Sequence, residues 1–173
     1  MTPEFSRLIR IDSLGEGGRS IAVDADQHER AALARRFGLL SLDALSAEAA
    51  LRRDADTIFA EGRVRAAAVQ ICVASGEPVP AVIDEQFSLR FVPEGAEADV
   101  EIELDADDFD TIDYAGGVVD IGEAIAETLA LSLDPFPRAP GADAALKAAG
   151  VLPEDEAATG PFAALKALKD KME

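Results

Sequence analysis

The sequence predicts an α+β fold: an antiparallel sheet of about five strands, or a partly closed barrel, with two or three helices and a short helical C-terminal tail. Two observations carry this. Residues 62–93, "GRVRAAAVQICVASGEPVPAVIDEQFSLRFVP", hold two runs of strand-like alternation around a Gly76-Glu77-Pro78 turn, the pattern of a hairpin. Two other segments open with helix-capping residues, Asp26 and Asp120, each followed three residues later by Glu. With 173 residues and 49% apolar content, the chain suits one α+β domain over residues 1–140. Residues 141–173 form an Ala-rich, acidic tail with short helices.

In chain order, "EFSRLIRID" alternates Phe5, Arg7 and Ile9 against Ser6, Leu8 and Arg10, and reads as a strand. "LGEGGRS" reads as a turn between strands rather than a phosphate loop, since no Gly-Lys-Ser/Thr closes it. "DADQHERAALARRFGLL" is a helix, capped by Asp26 with Glu29 and ended by Gly38. Its Arg35 and Arg36 complement the helix dipole in the last turn. Leu42, Leu45, Ala49 and Leu51 fit neither period well; a strand over Leu45 to Arg52 with a turn at Asp54–Asp56 is the reading adopted. "TIFAEGRVRAAAVQICVAS" is a long strand bulged near Gly62. Its partner sets Phe87, Leu89 and Phe91 on one face and Gln86, Ser88 and Arg90 on the other. Val100, Ile102 and Leu104 form a further strand with one acidic face. Asp120 and Glu123 open a helix that Pro135 ends, with Ile121, Ala124, Ile125, Thr128 and Leu129 on one side. Short helices near Asp143–Ala149 and Phe162–Lys171 complete the chain.

Charge narrows the functional classes. The net charge is −18, and it is uneven. Residues 1–70 hold 10 Arg against 11 acids; residues 71–173 hold 6 bases against 23 acids. Such a charge opposes non-specific binding to nucleic acid, while leaving room for a local Arg patch. No run approaches the roughly 18 apolar residues of a membrane span, and no secretory signal opens the chain, so a cytoplasmic location is expected with no membrane partner. A lone cysteine, Cys72, excludes an internal disulfide and a multi-cysteine zinc site. The acidic cluster "DADDFD" fails the calcium-loop pattern, because Asp110 stands where glycine is required and Gly116 where glutamate is. The only histidine, His28, has no nucleophile that the sequence can place beside it. No aromatic stacking platform is legible. The chain therefore reads as a non-enzymatic binding protein with no catalytic residues, no metal and no cofactor.

The order of the pieces resembles one family. The N-terminal strand, "ERAALARRFGLLSLDAL", the 62–93 hairpin, "VDIGEAIAETLALSLDPFPRAPGA" and the ending "PFAALKAL" together resemble the YceD family, the large ribosomal RNA subunit accumulation proteins, in its alphaproteobacterial form. The resemblance covers most of the chain and implies a role in large-subunit ribosomal RNA accumulation and ribosome assembly. Many members carry a Cys-x-x-Cys pair before this turn and a second pair later, which together look like a zinc site. Here Cys72 matches the first position and Ser75 stands at the second; "DPFPRAPGADAAL" has no cysteine. One thiolate makes no zinc site.

Two contact surfaces follow. Arg52, Arg53, Arg63, Arg65 and Arg90 would touch pre-ribosomal RNA or the assembling particle; the plainer reading is a solvated face paired to Glu61, Asp84 or Glu85. Glu101, Glu103, Asp105, Asp107, Asp108 and Asp110 would instead hold a basic ribosomal protein. An RNA-processing or RNA-modifying enzyme, or its accessory subunit, is the alternative.

Overall fold

The computed structural model describes residues 3–15, 17–95 and 109–151. The elements run β1 (Leu8–Arg10), a 3-10 turn (Ile11–Ser13), β2 (Arg19–Asp24), α1 (Gln27–Arg36), β3 (Ser41–Asp54), β4 (Thr57–Ile71), β5 (Pro78–Pro93), β6 (Asp110–Tyr114), β7 (Val118–Asp120), α2 (Ile121–Ser132) and α3 (Ala142–Ala148). The fold is α+β, with a five-stranded sheet in the order β2-β3-β4-β5-β6 and a two-stranded sheet of β1 and β7. Among the described residues the larger sheet is open rather than closed into a barrel, with β2 and β6 at its edges.

The chain forms two compact units. The first comprises residues 1–70 and 80–135, the second residues 71–79 and 136–173. In the first unit, period-two alternation decides which side chains are buried. Leu45, Ala47, Ala49 and Leu51 of β3 point inward, as do Ile58, Ala60, Val64, Ala66 and Ala68 of β4 and Phe87, Leu89 and Phe91 of β5. They join Leu33 of α1 and Ile121, Ile125 and Leu129 of α2 in one apolar core. Each fully buried Leu or Ile contributes about 1.5–3 kcal/mol. The alternate residues of β3 and β4 stay exposed or half-buried and form the sheet's open face.

Local signals explain the helices. Asp26 accepts from the Glu29 N–H at 2.9 Å while Glu29 accepts from the Asp26 N–H at 2.9 Å, the complete reciprocal cap. Gly38 takes the left-handed conformation just past α1. Asp120 caps α2 through Gly122 and Glu123, and also accepts from Ser6 Oγ at 2.6 Å and the Arg7 N–H at 2.8 Å. Glu123 does not close that box; its carboxylate goes to Arg36 at 2.6 Å and ties α2 to α1.

Three sequence expectations are corrected. The last ladder of the sheet is parallel, since β6 runs alongside β5 with Leu89 opposite Asp110 and Pro93 opposite Tyr114, so the sheet is mixed. Against β3, β4 runs unbroken through Gly62; the register shift lies between Leu42 and Ala44. Gly62 is required for another reason: a Cβ there would strike the Glu48 carbonyl oxygen and come within 2.7 Å of the Phe87 ring. The expected turn "LGEGGRS" ends before Arg19: Arg19 and Ser20 open the edge strand β2 (Arg19–Asp24), for which the sequence offers no expected element. The strand expected at Val100–Leu104 and the helix at Phe162–Lys171 lie outside the described residues, while α3 matches the expected tail helix.

Candidate functional site

Register places the candidate arginines. A two-residue turn at Ala55–Asp56 joins β3 to β4 and sets Arg52 opposite Phe59, Ala50 opposite Glu61, Glu48 opposite Arg63 and Ser46 opposite Arg65. All eight residues lie on the open face, which the edge strand extends by pairing Ser20 with Ala50 and Ala22 with Glu48. The arginines on this face are in two states.

At the centre they are neutralised. Arg63 reaches Asp84 at 2.7 Å, and Arg65 reaches the same carboxylate at 3.6 Å and Glu48 at 3.7 Å. This carboxylate-bridged pair matches the solvated, ion-paired face foreseen for these residues, with Asp84 as one of the partners named and Glu48 in place of Glu61 or Glu85. Arg53, next to Arg52 in β3 and so on the other side of the sheet, is anchored to backbone, donating to Ala55 O at 2.7 Å and Ile11 O at 3.1 Å, with Asp56 at 3.7 Å. Arg90 donates to Thr111 Oγ1 at 2.9 Å and bridges β5 to β6; its Nε is shielded from water and has no partner among the described residues.

At the β3–β4 turn the state differs. The Arg52 guanidinium lies 4.2 Å from the centroid of Phe59, and Phe109 meets Phe59 edge-on at 5.3 Å. Among the described residues neither Arg52 nor Arg19 has a carboxylate partner, and Glu61 makes no pairing either. Gly17, Gly18, Arg19, Ser20, Ala50, Arg52, Phe59 and Glu61 line one open groove of about 430 Å³. Gly18 sits at φ +69, where a Cβ would meet the Leu51 carbonyl oxygen at 2.8 Å, so the groove wall is backbone. Sequence reasoning missed Arg19 and Phe59, and with them an aromatic-cation stack. The signal was available: counting back through the two-residue turn pairs Arg52 with Phe59.

Of the acidic candidates, Asp110 stands exposed at the start of the edge strand β6. Glu101, Glu103, Asp105, Asp107 and Asp108 lie outside the described residues. His28 is exposed in the first turn of α1.

Cys72 belongs to the second unit and is buried there with Ala139 and Ala142. Its turn is closed by Gly76 N–H donating to Cys72 O at 2.9 Å and Cys72 N–H donating to Glu77 O at 2.8 Å. The sulfur accepts from the Ala139 N–H at 3.2 Å and the Ser75 N–H at 3.4 Å. These donors, Ala139 first, favour the thiolate and lower its pKa to about 7. Among the described residues no three His, Cys, Asp or Glu side chains converge as a metal site would require. The turn therefore packs on the Pro137–Ala142 segment through sulfur hydrogen bonds and apolar contact. No described helix is long and apolar enough to cross a membrane.

The model of the family described as large ribosomal RNA subunit accumulation protein YceD matches residues 60–169, more than half of the chain, and the chain belongs to that family. The family description names RNA accumulation and no reaction. The match takes in Glu61, Arg63, Arg65, Cys72, Asp84 and Arg90, whereas Arg19, Arg52 and Phe59 precede it. No curated protein matches the chain, and no solved structure does.

Proposed function

We propose that this YceD-family chain supports accumulation of large-subunit ribosomal RNA as a cytoplasmic binding factor, not a catalyst, by touching RNA of the assembling particle with the open face of its sheet. The observation that carries this is the pair of cations, Arg19 and Arg52, that meet no carboxylate among the described residues, on a groove with an aromatic ring beside them. Phosphate gains most from cations that need not first release a carboxylate. Arg63 and Arg65 serve mainly to hold the face together, Arg53 is anchored to backbone, and Arg90 ties in the edge strand. The repulsion expected of a chain with charge −18 confines contact to this patch.

A second reading rests on the same charge. Ten acids and no base fall between Glu94 and Asp113, a stretch fit to hold a cationic ribosomal protein. The two readings separate in a density gradient of cell lysate followed by RNA crosslinking. Co-migration with immature large-subunit particles and crosslinks that map to ribosomal RNA support the first. A chain that stays at the top of the gradient with a basic ribosomal protein bound contradicts the first and supports the second.

A further inference from the structure

We propose that the groove at the Gly17–Gly18 turn is a single-nucleotide subsite that takes a guanine of single-stranded RNA. The inference rests on the RNA-binding reading above and adds to it the identity of the base. It draws on residues that lie almost wholly before the family match, so it concerns this chain's own N-terminal strands.

The cross-strand rows order the residues that line the groove. Ser20 and Ala50 are cross-strand neighbours, and Ala50 is opposite Glu61, so a row of two small side chains leads to a carboxylate. The next row sets Arg52 opposite Phe59, with the guanidinium stacked at 4.2 Å from the ring centroid. Small floor, flat wall and carboxylate end leave about 430 Å³, inside the roughly 300–1,000 Å³ span of small-molecule sites. A planar guanidinium already lying on an aromatic ring offers its other face to a base, a stacking mode common in RNA recognition.

The polar groups select the base. Glu61 is exposed, and among the described residues its carboxylate pairs with neither Arg52 nor any other cation. An ionised carboxylate only accepts hydrogen bonds. Guanine alone among the four bases presents two adjacent donors, N1–H and the N2 amine, on its Watson–Crick edge. Adenine and cytosine each offer one donor beside an acceptor, and uracil offers one donor between two carbonyls. A carboxylate also repels phosphate, so Glu61 belongs to the base and not to the backbone of the strand. Arg19, on the same groove and without a carboxylate partner among the described residues, is the cation for the adjoining phosphate.

The test uses the full chain and four fluorescent eight-nucleotide RNAs, oligouridine and its variants with one central G, A or C, read by anisotropy at fixed salt. The expected result is that the G oligomer binds about tenfold tighter than the other three, the size of one good base contact. Glu61→Gln removes that preference while oligouridine binding is unchanged or stronger, and Arg52→Ala weakens all four. Circular dichroism confirms that both variants are folded. Equal binding of the four oligomers, or a G preference that survives Glu61→Gln, overturns the guanine subsite and leaves RNA contact standing. Failure of any oligomer to bind, with the chain still riding on immature particles, overturns both and points to a protein partner.

Discussion

At the centre of the open sheet face, Arg63 and Arg65 close on Asp84 at 2.7 and 3.6 Å; at the β3–β4 turn, Arg52 lies on the Phe59 ring and, among the described residues, meets no carboxylate. Both regions are built from the same strands, and all three arginines point to the same side. What separates them is the third strand. β5 brings Asp84 beside Arg63 and Arg65 and so spends their charge within the sheet. Among the described residues no such carboxylate stands against Arg52. A phosphate approaching the centre must displace Asp84, whereas one approaching the groove displaces water. Counting arginines on a strand face therefore overstates the charge that a partner can feel.

The comparison can be broken most severely by removing the face itself. Gly62 lies in β4 between Glu61 of the groove and Arg63 of the centre, and its missing side chain lets Glu48 and Phe87 close in. Gly62→Val is expected to cost about 3 kcal/mol or more, by overpacking against backbone and a buried ring. Gly17→Ala, where a Cβ meets nothing within 4 Å, is expected to stay within about 0.5 kcal/mol. Denaturant midpoints for the two variants check this. If Gly62→Val is as stable as the parent, the tight crossing of β3 and β4 is not required.

A smaller effect sharpens the same contrast. Asp84→Asn leaves Arg63 and Arg65 without their strongest partner. RNA affinity at low salt is expected to rise about threefold as two cations become available, and the gain is expected to fade as salt screens it. Stability is expected to fall by less than about 1 kcal/mol, because the pair is largely solvated. Unchanged RNA affinity in this variant would mean that the centre of the face lies outside the contact.

The smallest expected effect serves as a control in the second compact unit. The Cys72 thiol, held by the Ala139 and Ser75 N–H groups, is expected to titrate near pH 7 in the folded chain and near 8.5 when unfolded, read as thiolate absorbance. A folded pKa below the unfolded one means that its contribution to stability is complete above the unfolded value and is lost as pH falls through about 7. RNA binding should be indifferent to this titration. A folded midpoint at or above the unfolded one would mean that the two N–H donors do not hold the sulfur.

How much of this was legible follows from how local each signal is. The cap of α1 needs only Asp26 and Glu29, three residues apart, and was readable. The strand faces of β4 and β5 follow from alternation alone, and Phe87, Leu89 and Phe91 are buried together as their spacing implies. β3 resisted, because Ala44, Ala47, Ala49 and Ala50 blur the contrast between its faces. The parallel β5–β6 pairing joins segments that no turn connects, so sequence gave no sign of its direction. At the site, Asp84 was foreseen as a partner for the central arginines. The groove was not, because its wall comes from a turn and an edge strand whose partner had to be known first.

The claim that availability, not number, decides which arginines touch RNA is tested most directly by the salt dependence of oligouridine binding in two double variants. Arg19→Ala with Arg52→Ala is predicted to lower the slope of log K against log salt by about 1.4, two contacts at roughly 0.7 each for a single strand. Arg63→Ala with Arg65→Ala is predicted to leave the slope within about 0.3 of the parent's. The reverse ranking, or equal losses from both pairs, would contradict it.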